Sequence, residues 1–169
     1  MMEVSGSSPL SPTKLGKIMD IKSGKKYPAG ALSNFAPHPF VIDGIQCNSM
    51  EGFLQSLKFK NVEMQEHICT LVGAKAKRSG ANKNWQRKQT LYWKGKEYKR
   101  DSIEYSELLF RAYSEMFKQC NSARKALDAS KGANLTHSIG RRKKSETILT
   151  AQEFCSILMR IRDNDFLEY

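Results

Sequence analysis

Apolar positions recur at helical spacing along most of the chain and at strand spacing in only two short places. Met50, Phe53, Leu54 and Leu57 fall at i, i+3, i+4 and i+7 and predict an amphipathic helix over 49–59. Met64, Ile68, Leu71 and Val72 repeat the pattern up to Gly73, which reads as a C-terminal stop. The longest stripe, from Tyr105 through Leu108, Leu109, Ala112, Tyr113 and Met116 to Phe117, keeps one apolar face for more than three turns and marks a core helix. A shorter helix is expected over 122–129, closing near Gly132. Thr150-Ala151-Gln152-Glu153 is a capping box that opens a last helix with Phe154, Ile157, Leu158 and Ile161 inward. Phe40-Val41-Ile42 and Ile45-Gln46-Cys47 flank Asp43-Gly44, the pattern of a two-residue hairpin whose turn needs positive φ twice. Thr90-Leu91-Tyr92-Trp93 is a second strand, with Gly95 supplying its turn.

These elements predict an α+β fold, a mainly helical single domain with a small β-sheet. With 169 residues, the chain suffices for one core that buries roughly 68–70% of the extended surface. Residues 1–26 are turn-rich and weakly periodic and read as an N-terminal arm, partly flexible and without chemistry. Residues 27–165 form the domain, and 166–169 a C-terminal tail. Apolar residues are 40% and charged residues 27%, a globular balance, and there is no run of about 18 apolar residues to cross a bilayer. The first 26 residues lack the apolar stretch of a secretory signal, so a cytoplasmic location is expected. Cys47, Cys69, Cys120 and Cys155 form no C-x-x-C pair and read as buried free thiols. His38, His67 and His137 are too scattered for a metal site, so neither a metal nor a cofactor is expected.

Charge adds a function class to this picture. Lys and Arg number 28 against 17 Asp and Glu, a net +11, and the excess is local. Residues 73–100 hold ten basic side chains and one acid, Glu97, with Trp85, Tyr92, Trp93 and Tyr98 among them. Cations attract phosphates and aromatic faces stack on bases, so the stretch suits a phosphorylated, nucleotide-like ligand or a strand of nucleic acid. The plainer alternative is a solvated basic face whose aromatics turn into the core.

The sharpest constellation is Asn48-Ser49-Met50-Glu51 followed by Gln55 and Lys58. On a helix, Glu51, Gln55 and Lys58 stand at i, i+4 and i+7, so a carboxylate, an amide and an ammonium share the face opposite Met50, Phe53 and Leu57. A structural alternative is equally concrete: Asn48 as N-cap with Glu51 three residues on is a capping box, and Glu51 and Lys58 an exposed pair of little consequence.

Ser33-Asn34-Phe35, Pro39-Phe40, Asp43-Gly44, Ser49-Met50-Glu51 and Gln55-x-x-Lys58-Phe59 resemble, in order and spacing, the opening signature of the NADAR domain family, also called YbiA-like. The resemblance continues through 76–80, the tryptophan segment, the 105–117 helix and 157–162, and it covers roughly residues 27–163. It implies a YbiA-like fold and an N-glycosidase. Members cleave a bond between a ribose carbon and a nitrogen, in phosphorylated intermediates of riboflavin biosynthesis or in ADP-ribose attached to a guanine base of DNA. The implied partner is therefore ADP-ribosylated nucleic acid or a phosphorylated nucleotide-like small molecule.

Breaking a ribosyl C–N bond builds positive charge on the sugar, so a carboxylate beside C1′ stabilises the transition state and orients water. Glu51 is the catalytic candidate, with acid–base assistance worth about 10²–10⁴-fold. The resemblance places Ser33, Asn34, Phe35 and Ser49 at the substrate, although an Asn before an aromatic is equally a turn with a packed Phe. Lys58 and Arg78 are candidates for phosphate oxygens. Trp93 is a candidate for stacking on base or ribose, with core packing as its alternative. Two departures mark this chain: Glu51-Gly52 stands where riboflavin-type members have Glu-His, and their later Asp and Trp-Gly pair is replaced by 135–144 and 147–150. His137 falls in that replaced region and is a candidate proton donor or hydrogen-bonding group. The added basic cluster at 141–144 favours an ADP-ribosyl or nucleic-acid substrate over free riboflavin-pathway intermediates; a non-catalytic nucleotide-binding or nucleic-acid-binding member is the third reading.

Overall fold

Along residues 17–164, which the computed structural model describes, the chain runs β1 (Ile18–Asp20), β2 (Phe40–Ile42), β3 (Ile45–Cys47), α1 (Met50–Ser56), α2 (Val62–Cys69), α3 (Gly73–Ser79) and α4 (Asn84–Lys88). It continues β4 (Thr90–Trp93), β5 (Lys96–Lys99), α5 (Ile103–Gln119), α6 (Asn121–Ala129), β6 (Asn134–Thr136) and α7 (Ala151–Asn164). The α+β, mainly helical expectation holds. The strands form three separate two-stranded ladders rather than one sheet: β2–β3 and β4–β5 antiparallel, β1–β6 parallel. Both hairpins close on pairs of positive-φ residues, Asp43-Gly44 and Lys94-Gly95, whose twist suits two-residue turns. β1 falls inside the stretch read as an arm. Three residues are too few for a visible alternation, and the partner strand lies far along the chain. The expected tail at 166–169 lies outside the described residues.

α5 forms the spine, burying Tyr105, Leu108, Leu109, Ala112, Tyr113, Met116 and Phe117 as its period requires. Against it α1 is buried on almost every side, with Phe53 packed edge-on to Trp93 at 4.9 Å between centroids. Ser49 is the N-cap of α1, accepting from the Gly52 amide at 3.0 Å. Asn48 therefore does not cap this helix. Its amide and side chain donate to the carbonyls of Cys69 and Thr70 at 2.8 and 3.0 Å, and Ser49 Oγ donates to Leu71 at 2.8 Å. Carbonyls left open where α2 ends are thus satisfied by the residues that start α1.

That seam explains Gly52. A Cβ there would lie 2.8 Å from the carbonyl oxygens of both Ile68 and Leu71, so no side chain fits. Gly73 does not end the preceding helix, which stops at Thr70; it opens α3 at a φ of +60°. Neither α3 nor α4 was legible as a period, because each buries one residue, Ala76 or Trp85, among polar neighbours.

Arg100, the last cation of the basic stretch, is 2% exposed. It donates twice to Glu153, at 2.6 and 3.1 Å, and once to the Thr147 carbonyl at 2.7 Å. The Thr150–Glu153 box closes reciprocally at 2.8 and 3.0 Å. Together these bonds fix the segment that leads into α7. All four cysteines are buried and free, and among the described residues no helix is long and apolar enough to cross a membrane.

Candidate functional site

α1, α3, the 80–86 segment and the loops at 137–141 and 146–149 enclose an open cavity of about 810 Å³, a volume suited to a nucleotide-sized ligand. Glu51 enters it from the first turn of α1, where its amide donates to the Asn34 carbonyl at 3.0 Å. Asn34 Oδ1 accepts from the hydroxyl of Tyr113 at 2.7 Å, so the loop before β2 is pinned to the spine helix behind the site. Gln55, one turn on, donates from Nε2 to Glu51 Oε2 at 2.7 Å. Lys58 Nζ donates to the Gly80 carbonyl at 2.5 Å.

The Gln55 amide oxygen is buried without a partner among the described residues and packs against Gly80, where a Cβ would collide with it. An unmet buried acceptor costs about 1–3 kcal/mol, so its persistence marks a constraint on the amide. The constraint is Glu51: an ionised carboxylate only accepts, so the NH₂ must face it and the oxygen takes the dry side.

Charge in the cavity is unequal. Lys58, Lys77, Arg78, Lys83 and Arg141 line it against Glu51 and Glu146. Burial pushes the Glu51 carboxyl above its ordinary value, while the Gln55 bond and the charges of Lys77, Lys58 and His137 pull it part of the way back. Burial lowers Lys58, with Glu51 opposing and Lys77 reinforcing. Tyr113, fully buried behind them, is raised well above its usual value by burial and by Glu51.

Of the residues singled out by sequence, Asn34, Glu51, Lys58, Arg78 and His137 line this one cavity. Ser33, Phe35, Ser49 and Trp93 do not. Ser33 Oγ accepts from the Phe35 amide at 3.2 Å and shapes the turn, and the Phe35 ring sits under Lys77 at 6.0 Å. Ser49 is fully buried as a helix cap. Trp93 is a core residue, its inward place set by strand alternation and its indole donating to Asp43 at 2.8 Å. Arg111 grips the same carboxylate at 2.7 and 3.0 Å, so Asp43 ties a hairpin to α5. The tryptophan in the cavity wall is Trp85, which sequence reasoning noted but did not choose. Its helical flank of Lys83, Gln86 and Arg87, rather than a strand, was the available signal. Lys77 and Gly80 line the cavity as well; they lie in the 76–80 segment that carries the family resemblance, from which only Arg78 was chosen.

Comparison with known proteins gives three likenesses. The family model described as bacteriophage protein GP30.3 matches residues 26–163. A relative from Enterobacteria phage T4, described as an uncharacterized 17.1 kDa protein in the Gp30–rIII intergenic region, is 45% identical over 148 residues, 86% of this chain and 97% of its own. Among solved structures, the NMR structure of the E. coli protein YbiA shares the fold with a TM-score of 0.60, covering 90% of this chain and 89% of that one at 21% identity.

Proposed function

Since the chain belongs to the bacteriophage protein GP30.3 family, we propose, from that premise and the cavity geometry, an N-glycosidase of the NADAR kind that hydrolyses a ribosyl C–N bond. Its substrate is ADP-ribose attached to a guanine base of DNA. The observation that carries the reading is a partly buried carboxylate, Glu51, in a cavity whose other charged walls are mostly cationic.

The two charge types answer different parts of the reaction. As the C1′–N bond breaks, positive charge grows on the sugar, and a carboxylate held in a poorly hydrated place stabilises it more than one in water. Phosphates flanking that sugar carry the opposite sign and suit Lys58, Lys77 and Arg78. Trp85, with Leu54, Ile148 and Phe154, supplies the apolar wall that a base or ribose face requires.

The nucleic-acid side of the reading rests on the rim. Gln86 Nε2 donates to the Glu146 carbonyl at 3.1 Å, and Gln89 Nε2 donates to Ser145 at 3.0 Å. These bonds tie the end of the 83–88 stretch to the residues that follow the 141–144 cluster, and Arg87, Lys88, Arg142 and Lys143 are exposed. Free riboflavin-pathway intermediates fit less well, because the histidine that accompanies the glutamate in those enzymes has no room at position 52.

The test is mass-spectrometric detection of released base and ribosyl product from ADP-ribosylated guanine in single-stranded DNA, with NAD and free ADP-ribose as controls. Wild type is expected to release both products and a folded Glu51→Gln variant to be slower by about 10²–10⁴-fold. Equal turnover by the two proteins rules out the assignment of Glu51. Tight, salt-dependent binding without release assigns the chain to the non-catalytic reading instead.

A further inference from the structure

β1 is three residues long and precedes the 26–163 family match, yet it holds the loop that carries His137. It pairs in parallel with β6, Ile18 to Asn134 and Asp20 to Thr136, and the Ile21 amide extends the ladder to the Thr136 carbonyl at 2.8 Å. Asp20 then accepts three bonds from the residues flanking His137: Thr136 Oγ1 at 2.9 Å, the Ser138 amide at 2.7 Å and Ser138 Oγ at 2.7 Å. These bonds bracket His137 on both sides along the backbone.

The ring itself is fixed by the same strand. His137 Nδ1 lies 2.8 Å from the Ile21 carbonyl. A carbonyl oxygen only accepts, so Nδ1 carries the proton and, in the neutral ring, Nε2 carries the lone pair. Phe154 meets the imidazole edge-on at 5.3 Å, and the ring packs so closely on Gly140 that a Cβ there would lie 2.5 Å from the ring carbon Cδ2. His137 and Glu51 line the same cavity, and Nε2 has no protein partner among the described residues.

We propose that β1 is the positioning element of the site, locking His137 in the Nδ1–H tautomer so that Nε2 accepts the proton of the water that attacks C1′. The water oxygen bonds to C1′ as the C1′–N bond breaks, and the electron pair of that bond leaves on the base nitrogen. The proton taken by Nε2 passes to the departed nitrogen, so no further reactant is needed. What His137 does rests on the glycosidase reading; how it is held rests on the geometry alone.

The experiment is ¹⁵N NMR of the full chain labelled at histidine, with His137 assigned by its loss in His137→Gln, recorded on the alkaline side of the imidazole titration. The wild-type ring is expected as Nδ1–H, against the Nε2–H form that a free histidine side chain prefers. Asp20→Ala and the milder Asp20→Asn, checked for folding by circular dichroism, are expected to move the ring towards that free preference. The same variants should lower kcat by about tenfold or more with little change in KM, since general-base assistance is worth about 10²–10⁴-fold in all. An Nε2–H ring in wild type overturns the proposal, as do an unchanged tautomer and kcat in folded Asp20 variants. The expected tautomer in a wild type that releases no base overturns the role given to Nε2 and leaves the hold of β1 on the ring standing.

Discussion

In the proposed reaction Glu51 meets two opposed demands, since the position that would make its charge useful to a sugar cation also makes that charge costly to the folded chain. Burial raises its carboxyl in the native state, so the unfolded chain ionises first as pH rises. The native state then binds more protons, and stability falls as pH climbs from the unfolded value of about 4.3 through the raised native one. Glu51→Gln removes that penalty while keeping an acceptor for Gln55 Nε2. Thermal melts are therefore expected to show the variant more stable than wild type at neutral pH, with the gain vanishing below about pH 4. A residue acting as a simple cap behaves oppositely, losing about 0.5–2 kcal/mol when replaced. Destabilisation of Glu51→Gln at pH 7 would make the carboxylate a net stabilising group and overturn the argument that its burial is costly.

At the scale of elements, the packing of α1 on the end of α2 decides what the turn carrying Glu51 can contain. The atoms facing Gly52 are backbone oxygens of Ile68 and Leu71, which cannot rotate aside as a side chain would. Gly52→Ala is expected to cost about 1–3 kcal/mol in urea unfolding, the usual penalty for overpacking, and Gly52→His more. A neutral Gly52→Ala would show that the seam opens freely. The sequence made α1, α5, α7 and both hairpins legible because each has a full apolar period or a turn pair that only certain residues satisfy. It made α3 and α4 illegible, since one buried residue in a short basic helix leaves no stripe to read. β1 was hidden for another reason: the atoms it serves lie 116 residues away, and nothing local in Ile18-Met19-Asp20 announces a parallel partner. In the site, helical spacing correctly brought Glu51 and Gln55 together on α1, while Lys58, expected within that helix, lines the same cavity from just beyond its end. Trp93 was misassigned because an aromatic among cations looks alike in a strand that buries it and in a helix that presents it to a cavity.

For the whole molecule, only part of the 28 basic side chains behind the net charge of +11 is available to a ligand. Arg100 is spent inside on Glu153, Arg111 on Asp43, and Lys94 reaches the Asp43 carbonyl at 2.7 Å. What remains near the site is the cavity set and the exposed rim of Arg87, Lys88, Arg142 and Lys143. In the proposed reaction, cavity cations address the phosphates beside the scissile sugar, which every ADP-ribosyl substrate carries. Rim cations have a task only when the substrate continues as a strand. Arg142→Gln with Lys143→Gln is therefore expected to raise KM for ADP-ribosylated single-stranded DNA and leave KM for an ADP-ribosylated mononucleoside unchanged, with kcat the same for both. Losing two phosphate contacts should also reduce the slope of log KM against log salt by about 1.4 for the strand. Steady-state kinetics over a salt series measures both effects. Equal changes on the two substrates would mean that the rim acts as a diffuse field rather than as a track, because a field weakens any anion and only a track distinguishes a strand from its monomer.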